Sequence, residues 1–385
     1  MLNFTFHNPT RIHFGEGQIK AIGAEIPANS RILVTYGGGS IKKNEVYDQV
    51  KSALENHTWF EFSGIEPNPS YDTLIKALDL IKAHDIDYLL AVGGGSVVDG
   101  TKFIAAAALF EGEDPWDIVT KQAPISSALP IGAVLTLPAT GSETNTGAVV
   151  TRNGNKLPFS NPLVRPQFAV LDPSVTLTLS DRQISNGVVD AFVHTMEQYL
   201  TFPVNAKVQD RMAEGLLLTL IEEGPKALNA DTKKDLEVRA NIMWSATLAL
   251  NGLIGAGVPQ DWATHMIGHE LTGGYGIDHA RTLSIVLPGV MKIRRNEKRE
   301  KLLQYASRVW EINDGDEQSR IDAAIQKTEQ FFHTMDVPTR LSHVGIERSE
   351  IEGIIEKLTA HGMVKLGEKR DITPDVSHQI LTAAL

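Results

Sequence analysis

The pattern of apolar and polar positions changes character about halfway along the chain. In the first half, short apolar runs alternate with segments of helical period. Arg31–Tyr36 is an apolar run that stops at Gly37-Gly-Gly39, and Tyr88–Val92 is a second that stops at Gly93-Gly-Gly95. Runs of this kind, without polar alternation, predict buried parallel strands feeding turns. Trp59–Phe62, Ile131–Leu137 and Phe168–Leu171 extend the set. Between them Val46–Leu54, Tyr71–Ala83 and the alanine-rich Val97–Leu109 carry apolar residues at helical spacing, as at Leu74, Ala77, Leu78 and Ile81. Alternating β and α predicts a parallel sheet with helices on both faces.

After Asp172-Pro173 the strand signals fade. Helical periodicity then recurs near Asp181–Leu200, Asn205–Leu220, Lys234–Leu250, Asp261–Leu271, Leu283–Arg294, Lys298–Trp310, Asp322–Met335 and Ser349–Leu358. A boundary near Leu179 follows, with an α/β domain over residues 1–179 and an all-helical domain over 180–385. In such architectures ligands are expected at the C-terminal ends of the strands and in the cleft between domains.

Composition narrows the function classes. The chain has 385 residues, more than one ordinary core holds. Its formal net charge of −11 disfavours nucleic acid, whose phosphates would be repelled. It has no cysteine, so disulfides are excluded and any metal must be held by histidine, carboxylate or water. No uncharged apolar stretch reaches the roughly 18 residues of a membrane span, and Met1–Thr10 has neither a basic nor an apolar leader character. A cytoplasmic protein is expected.

Gly37-Gly-Gly-Ser40 and Gly93-Gly-Gly-Ser96 each follow an expected strand and precede an expected helix. Glycines let the backbone approach a bulky anion, and helix N-terminal amides then face its charge. One such triplet alone reads best as a tight turn that binds nothing. Two at equivalent turns favour a pyrophosphate, and Asp99 falls in the first helical turn after the second. Neither is a G-x-G-x-x-G fingerprint, so the standard Rossmann assignment does not apply. NAD sites often place an acid at the end of an early strand, where it would repel a 2′-phosphate. Arg31–Thr35 ends without an acid and is followed by Lys42 and Lys43, which predicts NADP(H) over NAD(H).

The second half carries the candidate metal ligands. Asp190-Ala-Phe-Val-His194 and His265-Met-Ile-Gly-His269 each place two such groups at i and i+4, on one helix face. His279 follows His265 by fourteen residues, across the glycine-rich Gly273-Gly-Tyr-Gly276, and a return there would bring it back beside His265. His265-x-x-x-His269 lacks the glutamate of a zinc-protease helix, since Glu270 follows the second histidine instead of the first. Singly each pair reads best as a satisfied polar pair on a helix. Combined with the glycine turns they favour a metal site.

At this point the residues resemble the iron-containing alcohol dehydrogenase family, and within it the bacterial NADPH-dependent aldehyde reductase and butanol dehydrogenase branch. The likeness runs essentially end to end. It includes Glu66-Pro-Asn-Pro69, Gly93–Lys102, Leu135–Glu143, Phe168–Pro173, Asn186–His194 and Val258–His269. The resemblance implies a dinucleotide domain, a helical domain, one divalent metal (zinc or iron) and a homodimer. It implies Asp190, His194, His265 and His279 as metal ligands. It implies a cofactor site lined by Gly37, Gly38, Ser40, Asn68, Gly94, Gly95, Ser96, Asp99, Thr136, Thr140, Asn145 and Lys156. His269 matches a position near the metal that is usually not a ligand, and it is a candidate proton carrier beside water and the ribose hydroxyls. Ala280 departs from the glycine many members have after the last metal histidine.

The expected reaction is reduction of an aldehyde by hydride transfer from NADPH, with the metal as Lewis acid. Phe159, Trp262, Met266 and Tyr275 are candidates for an apolar substrate lining, with core packing the competing role for each. Competing functions are a polyol dehydrogenase or dehydroquinate-synthase-like enzyme of the same fold, a metal hydrolase with Glu197 or Glu270 as base, and a non-catalytic binding protein.

Overall fold

The computed structural model describes residues 1–385, and the chain divides into two compact units. One comprises His7–Leu179 and Lys234–Met243; the other comprises Met1–Phe6, Ser180–Lys233 and Trp244–Leu385.

The first unit is built on a six-stranded parallel sheet in the order β1-β8-β5-β4-β2-β3. Its strands are β1 (Arg11–Phe14), β2 (Arg31–Tyr36), β3 (Thr58–Phe62), β4 (Tyr88–Gly94), β5 (Ile131–Leu137) and β8 (Phe168–Leu171). Helices α1 (Ile22–Glu25), α2 (Val46–Ala53), α3 (Tyr71–Leu74), α4 (Ala77–Ala83), α5 (Gly95–Ala107) and α6 (Asp117–Thr120) connect them. The unbroken apolar runs have a direct cause. Successive side chains of a strand point to opposite faces, and both faces are covered. Leu89 and Ala91 of β4 enter one apolar cluster with Leu33, Ile131 and Ala133. Leu90 and Val92 enter the other with Ile32, Val34, Val134 and Val170.

The chain runs from β2 to β3 on one side and then returns to β4 on the other side of β2. The crevice between the C-terminal ends of β2 and β4 is therefore the point where the winding reverses. Such a crevice is where open α/β sheets bind ligands. Tyr36 pairs with Val92 there, so the two glycine triplets leave the sheet side by side.

A second sheet, absent from the sequence reading, is the hairpin β6 (Gly147–Arg152) and β7 (Asn155–Ser160). Its two-residue loop is Asn153-Gly154, both at positive φ (52° and 77°), as a primed hairpin turn requires. Strand β1 was also not expected. The helix expected over Tyr71–Ala83 is two short helices.

The second unit is helical. It holds α7 (Asp181–Tyr199), α8 (Lys207–Lys226), α10 (Ala263–Tyr275), α11 (His279–Ile293), α12 (Arg299–Val309), α13 (Glu317–Thr334), α14 (Ile351–Ala360) and α15 (Pro374–Ala383), the last not expected from the sequence. Helix α9 (Leu236–Ala249) contributes to both units. Ile285, Val286 and Val290 of α11 pack with Ile267 and Leu271 of α10 and with Ile380 and Leu381 of α15. No helix is long and apolar enough to cross a membrane.

Candidate active site

Helix α7 begins with a capping box. The Ser180 hydroxyl accepts from the Gln183 backbone N–H, and the Gln183 side chain accepts from the Ser180 N–H. Asp278, just ahead of α11, accepts from Arg182 Nε at 2.7 Å and from Asn186 Nδ2 at 2.8 Å. These bonds tie the start of α11 to the first turns of α7, and His279 is the first residue of α11. The glycines expected to form a turn do so only in part. Gly273 and Gly274 remain helical, and α10 ends at Gly276 with φ 68°. The chain reverses in the few residues before His279.

Asp190, His194, His265 and His279 converge as a result. Around the single atom Oδ1 of Asp190 lie Nε2 of His194 at 3.6 Å, of His265 at 3.7 Å and of His279 at 3.8 Å. These distances are too long for hydrogen bonds. They match atoms that share one ion, since ligands about 2.1 Å from a tetrahedral centre stand about 3.4 Å apart. The donor atoms of Asp190, His265 and His279 all lie within 4.8 Å of one another. The His194 ring stacks on that of His265, with centroids 4.6 Å apart and planes at 17°.

A carboxylate outside this set fixes His265. Glu197, one turn beyond His194 on α7, meets His265 Nδ1 through Oε2, while its Oε1 accepts from the backbone N–H of Thr264 at 2.6 Å. A carboxylate can only accept, so Nδ1 carries the hydrogen and Nε2 presents its lone pair to the site. Nε2 itself is buried and makes no hydrogen bond. Burial disfavours a charged ring, but without an ion Glu197 and Asp190 outweigh it and push the His265 pKa up to about 9, so an ion binding at Nε2 would displace a proton. That field attracts a cation. An oxygen donor with three imidazoles around it, held by an acceptor behind one ring, fits a divalent ion such as zinc or ferrous iron.

The start of α10 is anchored by a buried ion cluster. Lys298 Nζ donates to Asp261 Oδ2 and to the Leu200 carbonyl, each at 2.6 Å, and to Glu368 Oε2 at 3.0 Å. Asp261 in turn donates its backbone N–H to the Glu197 carbonyl at 2.9 Å and accepts from the Ala263 N–H at 2.8 Å. Between them Trp262 has φ 63°, a conformation that bulky residues rarely adopt. Its ring stands edge-on to His265, 5.4 Å between centroids. His269 is buried, with its ring centroid 5.2 Å from that of His279.

In the sheet unit the two glycine turns differ. The second opens a regular helix, α5, with Gly94 at its N-cap, so helix N-terminal amides face the crevice. The first runs into a single 3₁₀ turn over Ser40–Lys42, and α2 starts only at Val46. A Cβ at Gly95 would stand 2.5 Å from Thr140 Oγ1, whereas one at Gly38 would meet nothing within 4 Å. Asn68, at φ 56°, donates its backbone N–H to Ser96 Oγ at 3.3 Å. These contacts place Gly94, Gly95, Asn68, Ser96 and Thr140 around the ends of β4 and β5, and Gly38 follows the end of β2. Thr136 is the next-to-last residue of β5.

Asp99, Asn145 and Lys102 form an internal network. Asp99 accepts from Ser142 Oγ at 2.5 Å and from the Val149 N–H at 3.0 Å, which docks the β6–β7 hairpin on α5. Lys102 Nζ donates to Ser142 Oγ, Asn145 Oδ1 and the Gly147 carbonyl. Burial pushes the Lys102 pKa down to about 8 against the pull of Asp99 and Glu143. Lys156 is buried on β7. Phe159, a candidate for the substrate lining, packs against Phe103 in the core of this unit, whereas Tyr275 is exposed at the end of α10.

The reading that no acid stands near the first glycine turn needs correction. Glu61 of β3 pairs across from Val34 of β2. Its Oε2 takes the Tyr36 hydroxyl and Lys42 Nζ (2.9 Å), and its Oε1 takes the Tyr47 hydroxyl at 2.5 Å. The acid comes not from the end of β2 but from the neighbouring strand.

Comparison with known proteins agrees with both halves. Residues 9–173 match the family model of the iron-containing alcohol dehydrogenases, and residues 184–385 match the model of that family's C-terminal domain. The chain is 59% identical to the NADPH-dependent aldehyde reductase YqhD of Escherichia coli, with 100% of both chains covered. It is 40% identical to a probable NADH-dependent butanol dehydrogenase of Bacillus subtilis, again over 100% of each. Among solved structures, that of NADH-dependent butanol dehydrogenase A from Thermotoga maritima superposes with a TM-score of 0.95 at 36% identity, covering 100% of this chain and 99% of the other. With both sequence halves matched and full-length relatives at this identity, the chain belongs to the iron-containing alcohol dehydrogenase family.

Proposed function

We propose that the chain reduces aldehydes to primary alcohols, and catalyses the reverse oxidation, with NADP(H) and one divalent ion held by Asp190, His194, His265 and His279. The observation that carries this reading is the ring of three imidazole Nε2 atoms 3.6–3.8 Å from one carboxylate oxygen. It is supported by full-length similarity to an enzyme described as an NADPH-dependent aldehyde reductase. When bound, the ion polarises the carbonyl oxygen and the nicotinamide supplies the hydride.

The protein's own contribution is orientation and charge. Glu197 holds His265 in the tautomer that leaves Nε2 open, and Asp190 supplies the negative charge at the centre of the cluster. The backbone of Gly38, Gly94 and Gly95, with the first amides of α5, offers N–H groups to the pyrophosphate. Ser40, Asn68, Ser96, Thr136 and Thr140 frame the same edge of the sheet. Asp99 and Asn145 hold the adjoining hairpin and loop, and Lys156 lies buried on the hairpin's second strand. His269 is the group assigned to pass a proton, because an imidazole gives and takes one near neutral pH.

Metal-loaded protein should oxidise NADPH when butyraldehyde is added, with NADH slower in a parallel cuvette and glycerol with NADP⁺ inactive. Loss of NADH alone would overturn the cofactor assignment. No oxidation of either, in protein shown to contain metal, would overturn the substrate class. Asp190→Ala and His279→Ala should each lose metal and turnover while keeping the helical circular dichroism of the parent.

A further inference from the structure

Glu61 stands where an NAD-type enzyme would place its ribose acid. In dinucleotide folds that acid follows the glycine turn by about 20 residues and ends the next strand of the sheet. Glu61 follows Gly39 by 22 residues and is the next-to-last residue of β3, the strand beside β2. An acid there would repel a 2′-phosphate. Here it is enclosed. Tyr36, Tyr47 and Lys42 all donate to its two oxygens, and the Lys42 ammonium lies over both tyrosine rings, 5.1 Å from the Tyr36 centroid and 4.5 Å from that of Tyr47. Tyr36 ends β2 and Lys42 lies in the turn that follows Gly37-Gly-Gly39, so the cluster borders the first glycine turn.

We infer that Glu61 and Lys42 together set the discrimination between a 2′-phosphorylated and a 2′-hydroxyl dinucleotide, Lys42 favouring the phosphate and Glu61 opposing it. This rests on the proposed dinucleotide site at the β2–β4 crevice. The cluster is a balanced pair. The lysine neutralises the carboxylate that would exclude the phosphate, and the carboxylate reduces the field the lysine offers to it. Two tyrosine hydroxyls complete the hydrogen bonding of Glu61, so Lys42 is not its sole support and keeps donors for a ligand. Some family relatives are described as NADPH- or NADP-dependent and others as NADH-dependent, so the choice is made by residues that can differ without disturbing the fold. A surface cluster of this kind meets that condition.

The test is equilibrium binding. Dissociation constants for NADP⁺ and NAD⁺ are measured by titration calorimetry on the full-length, metal-loaded chain, and their ratio is compared across variants. Glu61→Gln keeps an acceptor for the tyrosines but removes the charge. It should shift the ratio toward NADP⁺ by about threefold or more, the scale of a solvent-facing charge pair. Lys42→Met should shift it toward NAD⁺ by at least as much. Either variant moving the ratio less than that, or the wrong way, overturns the inference. If the parent binds neither dinucleotide, the proposed site itself falls and this inference with it. A parent that prefers NAD⁺ overturns the NADP(H) assignment, while the variant ratios still decide the role of Glu61.

Discussion

Glu197 is joined to His265 twice, through the ring at Nδ1 and through the backbone N–H, which its Oε1 accepts at 3.4 Å. The two residues lie 68 positions apart, on α7 and α10. The same carboxylate therefore sets the tautomer of a candidate ligand and the position of the helix that bears it.

Replacing Glu197 with Gln should weaken metal binding without removing a ligand. The amide cannot supply the charge behind the ring, and losses of about 10–100-fold in metal affinity are typical when such a partner is changed. Competition with a chromophoric chelator measures this directly. Affinity equal to the parent would show that His265 needs no such support.

The two glycine turns should respond differently to alanine. At Gly95 the new methyl would collide with Thr140, so Gly95→Ala should lower both melting temperature and dinucleotide affinity. At Gly38 the methyl meets no protein atom, so Gly38→Ala should melt with the parent and yet bind NADPH about tenfold or more weakly, if the backbone there approaches the cofactor. Calorimetric melting and NADPH fluorescence titration separate the two effects. Unchanged binding in Gly38→Ala would remove the first turn from the site.

The Lys298 cluster should be costly to break. Lys298→Met leaves Asp261 and Glu368 buried without their cation, and removing one partner of a buried pair costs about 3–5 kcal/mol. A fall in melting temperature together with a weaker metal complex is expected, because Asp261 sets the start of α10. A stable variant with weak metal binding would mean that Lys298 positions the site without supporting the fold.

Acid should act on Glu61. Its three donors outweigh the cost of burial and hold its carboxyl near 2, below the usual value of 4.5. A depressed carboxylate contributes stability above its unfolded pKa and loses it as pH falls. The melting temperature of the parent should decline from about pH 4.5 downward, more steeply than that of Glu61→Gln. Parallel declines would mean that the cluster adds nothing to folding.

The elements legible in the sequence were those with a strong period. Arg31–Tyr36 and Tyr88–Val92 are covered on both faces, so apolar residues fill them without alternation, Arg31 and Thr35 apart. Arg11–Phe14 is a four-residue strand at the sheet edge with two charged or polar members, and no window separates it from a loop. The β6–β7 hairpin carries a signal in Asn153-Gly154, but its strands hold lysine, arginine and proline, which weaken the strand pattern on either side. The i, i+4 spacing makes Asp190–His194 and His265–His269 legible as pairs on one helix face. That His279 and not His269 joins the candidate set is what the family resemblance implies, and the short return before α11 brings it beside them. Glu197 was visible only as a possible base. Its bond to His265 depends on how α7 packs on α10, which no local pattern records. Glu61 is hidden from local pattern for the same reason, since strand adjacency decides what lies beside a turn.

Asp190 and the three imidazoles around its oxygen come from three helices, and His279 lies 89 positions after Asp190 in the chain. An ion held there would act as a cross-link in a protein that has no cysteine to make one. Unfolding the helical unit would require its release, and binding to the folded state alone adds stability that grows with the logarithm of free metal. The strength of the site could thus be followed by heat alone, with neither aldehyde nor nicotinamide present.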